Sequence, residues 1–77
     1  MGAALTSSPR DKLANALGPI RGGAVYEETM KTIDAEEPLE AEELYRFALA
    51  LMSKKGLLEA VGRAIKIQAI LMGAIGD

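Results

Sequence analysis

The sequence predicts an all-α fold, on three observations. Its apolar content is Ala, Leu, Ile, Met and Val: hydrophobic residues make up 49% of the chain and aromatics only 4%, a balance that favours helices over sheets. Apolar residues recur at three- and four-residue spacings along most of its length. Gly and Pro fall between those stretches, where helices stop and start. The expected architecture is a small helical domain built on a helical hairpin, about residues 38–55 and 57–75, with two shorter N-terminal helices, about 9–17 and 24–33. Residues 1–7 read as a flexible N-terminal arm and 8–77 as a single domain.

The first helix carries a full set of boundary signals in "SPRDKLANALGP". Ser8 is placed to cap, Pro9 occupies the first helical position, Asp11 follows three residues after the cap, and Gly18 stops the helix ahead of Pro19. Leu13 and Leu17 share its apolar face. "GPIRGG" then reads as a connector, because three Gly in six residues leave little reason for a regular element. In the second helix Tyr26, Met30 and Ile33 form one stripe, and Glu27 and Glu28 suit its N-terminal end.

The third helix is read from "DAEEPLEAEELYRFALALMSKKG". Pro38 and a run of Glu stand at its start, Lys54 and Lys55 at its end, and Gly56 is the expected stop, so charge complements the helix dipole at both ends. Leu44, Phe47, Ala48 and Leu51 line its main face, with Tyr45, Leu49 and Met52 beside them. One partner helix cannot cover both stripes.

The fourth helix is unusual for so short a chain. At about 100° per residue, Glu59, Arg63 and Lys66 fall in one narrow wedge, and the apolar arc around the rest spans roughly 260°, broken only by Gln68. Helices that are apolar nearly all round are normally buried on every side. A chain of 77 residues has little core to do this with, so other subunits are expected to supply the missing walls. Leu57, Val61, Gly62, Ile65, Ile67, Ala69, Ile70, Leu71, Met72 and Gly73 are the expected protein-interface residues. Gly62, Ala69 and Gly73 lie on one strip of small residues where another helix could approach.

Composition removes most chemistry. The chain has no Cys and no His, which excludes disulfides, thiolate or imidazole metal sites, an activated thiol and a Ser-His-Asp arrangement. Glu36, Glu37, Glu40 and Glu43 are near enough in sequence to suggest a hard-cation site, but helix-start electrostatics explain them. Neither catalytic residues nor cofactor or metal ligands are expected. Gly22 and Gly23 with Arg21 do not make a phosphate loop, since no Gly-Lys-Ser/Thr follows and Glu27 and Glu28 would repel an anion.

Charge is unevenly laid out within a net −2. Residues 1–26 sum to +2, residues 27–43 to −7 and residues 44–77 to +3. Such an order lets the middle of one subunit meet the end of another, although solvated helix faces are the plainer explanation. The longest uncharged run, Ile67 to Gly76, is about half of a membrane span. With no signal-peptide pattern at the N-terminus, a cytoplasmic location is expected. The expected function is non-enzymatic: a structural, self-assembling subunit forming a homo-oligomer, filament or shell through its C-terminal helix. The alternative is a small regulatory module, either a helical adaptor for a larger protein or a weak helix-turn-helix DNA binder. Against DNA, the would-be recognition helix offers only Arg63 and Lys66, well past its first turn. Against membranes, the polar wedge is narrow and no Trp anchors it.

Overall fold

A computed structural model describes residues 8–74. The proposed arm at 1–7 lies outside the described residues. Four helices account for the fold: α1 (Pro9–Leu17), α2 (Pro19–Ile33), α3 (Ala41–Met52) and α4 (Leu57–Met72). They pack as two hairpins, α1 with α2 and, more extensively, α3 with α4; α2 lies against α3, and α1 closes the ring against α4. Leu13, Phe47, Leu51 and Ile65 are wholly buried at the centre, with Tyr26, Leu44, Ala48 and Ala69 around them.

The boundaries of α1 follow its signals. Ser8 Oγ accepts from the Asp11 N–H at 3.1 Å, and Gly18 ends the helix at φ 93°, a left-handed value that suits a residue without Cβ.

The connector expected at "GPIRGG" is instead the first turns of α2, which begins at Pro19 and is longer than α3. Two physical facts outweigh the glycine count. Pro19 pre-sets the backbone angle of a helix start. Gly22 is buried against α1, where an added Cβ would stand 2.7 Å from the Leu13 carbonyl and the Ala14 nitrogen. A glycine there permits close helix packing, not a flexible joint.

The third helix starts and ends inside its expected limits. Glu40 is its N-cap, and Glu43 reaches back to accept from the Glu40 N–H at 3.1 Å, which fixes the start after Pro38. At the far end Ser53 Oγ donates to the Ala50 carbonyl, so Lys54 and Lys55 lie in the connection rather than in the last turn. Gly56 turns the chain at φ 81° and α4 folds back as expected. That helix stops at Met72, short of residue 75, because Gly73 adopts φ 117° and the Ala74 N–H closes onto the Ala69 carbonyl.

Candidate interaction surface

The core claims only part of the apolar arc of α4. Val61, Gly62, Ile65 and Ala69 face inward and are buried by the chain itself. Of the ten residues expected at an intersubunit interface, these four are therefore corrected to intramolecular packing. The reason is the close approach of α3: a Cβ on Gly62 would lie 2.9 Å from the Ala48 carbonyl oxygen and 2.8 Å from Met52 Cγ. Gly73 is exposed and lies past the end of α4 as its left-handed C-cap, with open space beside it.

The other five remain on the surface: Leu57, Ile67, Ile70, Leu71 and Met72 are exposed, Ile67 to 60% and Leu71 to 83%. Ala60 and Ala64 are exposed as well. Leu57, Ala60, Ala64, Ile67 and Leu71 follow one another at spacings of three, four, three and four. At about 100° per residue they occupy an arc of roughly 80°, forming a continuous apolar seam along α4. Such spacing is that of a helix–helix seam. The two Ala were not among the residues named from the sequence, yet the alternating three-four spacing was there to place them on this exposed face.

Polar groups border this seam on one side. Arg63 donates to Glu59 at 3.1 Å within α4, and Lys66 lies over the Tyr45 ring at 5.9 Å. Both contacts are intramolecular and leave the seam uncovered. Ile20, at the start of α2, is 89% exposed.

A second cluster joins α1, α2 and the segment between α2 and α3. The Tyr26 hydroxyl donates to Glu37 Oε2. Arg10 stacks on the Tyr26 ring at 4.5 Å and donates to Glu27 at 3.2 Å. Phe47 packs on the same ring, centroids 5.5 Å apart. Burial pushes the Tyr26 hydroxyl up to about 12; its bond to Glu37 and that residue's charge act in the same sense, and Arg10 opposes them. No sequence signal marked this cluster, because Arg10, Tyr26 and Glu37 share no periodicity.

The clustered Glu of the α3 start are occupied separately: Glu37 accepts from Tyr26, and Glu43 caps Glu40. Among the described residues no three acidic groups come together where a metal ion could be held, and no helix is long and apolar enough to cross a membrane. Compared with protein-family models, curated proteins and solved structures, the chain matches none of them.

Proposed function

We propose that the chain is a non-enzymatic structural subunit that assembles with copies of itself through the outward seam of α4. The supporting observation is that seam: Leu57, Ala60, Ala64, Ile67 and Leu71 stand in line on the surface with no part of the described chain over them. Scattered exposed apolar residues need no explanation, whereas a contiguous row rimmed by charge marks an interaction site.

A second copy is the occupant that fits best. In an antiparallel twofold pair Ala64 faces Ala64, Ala60 faces Ile67 and Leu57 faces Leu71, so small side chains meet each other or a large one. The helices can then close evenly along their length. In a parallel pair Ala60 meets Ala60 while Leu71 meets Leu71, tight at one end and splayed at the other. An isologous pair also needs only one surface, the same on both partners. Helix α4 is about 24 Å long, and a single helix face buries less than the roughly 800 Å² per partner of a standard interface. The association is therefore of modest affinity and rises with concentration.

Engineered cysteines test the geometry, since the chain has none of its own. Under mild oxidation Ala64→Cys should form a disulfide-linked dimer. Leu57→Cys alone should not, while a mixture of Leu57→Cys and Leu71→Cys chains should form the heterodimer. Self-linking of Leu57→Cys would show a parallel pair, and failure of Ala64→Cys to link would remove the seam from the interface. A larger helical partner would compete for the same face, and would show as loss of the cross-link on its addition. Duplex DNA is disfavoured by the first turn of α4, whose Leu57, Leu58, Glu59 and Ala60 offer no side-chain donor to a base edge.

A further inference from the structure

Two surface cavities flank the segment between α2 and α3. One, of about 370 Å³, is lined by Arg10, Glu27, Lys31 and the segment itself. The other, of about 310 Å³, is lined by Pro9, Leu39, Leu44, Gln68 and Met72. Tyr26 and Glu37 line both, so the hydrogen bond between them is part of the wall that divides the two spaces.

We propose that residues 34–40 form a strap latched by the Tyr26 hydroxyl on Glu37, and that loss of this hydrogen bond releases it and joins the two cavities into one cleft. Ala35 and Leu39 pack against the core near the strap's two ends. Ala35 also donates to the Met30 carbonyl and Glu40 to Glu43, but among the described residues no backbone–backbone hydrogen bond fastens 36–39. Leu39 is half-buried, whereas Glu36, Glu37 and Pro38 are exposed. A hydroxyl donating to a carboxylate makes a charge-assisted bond, roughly twice as strong as the same bond to a neutral acceptor. Replacing Glu37 by Gln therefore weakens the contact that Tyr26 makes at the strap's middle.

The charged groups around this latch are Arg10 from α1, Glu27 and Lys31 from α2, and Asp34 and Glu36 on the strap; α3 and α4 present only Leu44, Gln68 and Met72. Arg10 is engaged by Glu27.

Backbone order parameters from ¹⁵N relaxation test the latch. In the wild-type chain at pH 7, residues 36–39 are expected near the rigid-backbone value of about 0.85, and in Tyr26→Phe or Glu37→Gln below about 0.6, with α3 and α4 unchanged in each. Glu37→Gln alters an exposed residue and serves if Tyr26→Phe fails to fold. A strap that stays as ordered in the variants as in the wild type overturns the latch.

Discussion

Two adjacent glycines, Gly22 and Gly23, show how differently one residue type is used. Gly22 is pressed against the α1 backbone, and an added methyl group meets main-chain atoms that cannot swing aside. Gly23 has nothing within 4 Å of such a group and lies inside α2 with helical angles. Gly23→Ala should therefore stabilise the fold by about 0.5–1 kcal/mol, through helix propensity and a less disordered unfolded chain. Gly22→Ala should destabilise it by about 1–3 kcal/mol, since overpacking outweighs that gain. Urea denaturation of the two variants beside the wild type checks both signs. Equal stabilisation by the two would mean that α1 and α2 do not pack this closely.

Among the elements, α1 and the α3–α4 hairpin were legible in the sequence because their signals are local: a capping Ser three residues before Asp11, an apolar stripe from Leu44 to Leu51, and Gly56 between two helices. The start of α2 was not legible. Nothing within "GPIRGG" records that Leu13 and Ala14 stand opposite Gly22, so local glycine content pointed to a connector while a tertiary contact made a helix. The exposed apolar face of α4 was legible in part, for the same reason: periodicity shows how wide an apolar arc is, not which portion the chain covers itself. Tyr26 supplies a test of how the elements are joined, as it touches α1, α3 and the strap. Its pKa is raised from 10.0 to about 12, so below pH 10 the hydroxyl is neutral folded or unfolded and its contribution is fully present. Between pH 10 and 12 the unfolded chain ionises first, and stability falls as pH rises through the folded value. At about 1.4 kcal/mol per unit the loss amounts to roughly 2–3 kcal/mol. Thermal unfolding followed from pH 8 to 12 should show that decline in the wild type and its removal in Tyr26→Phe, whereas an identical decline in both would place Tyr26 outside the core.

At the scale of the whole molecule, one surface remains that the fold does not use. The chain fills its centre with Leu13, Phe47, Leu51 and Ile65 and still leaves a row of apolar side chains along its last helix. Substituting those positions separates assembly from folding, because they contribute nothing to the core. Gly73→Leu cannot serve this purpose, since at φ 117° it would strain the end of α4 whatever it did to a partner. Ile67→Lys with Leu71→Lys is cleaner: both side chains are exposed, and charge on the seam opposes its burial against a copy. Sedimentation equilibrium of the wild type and this double variant, from micromolar to millimolar chain, tests the central claim most directly. The wild-type mass should rise from one chain toward two or more as concentration increases, while the double variant keeps its helical circular dichroism and stays at one. A wild type that remains a single chain throughout, or a double variant that assembles equally well, would contradict it.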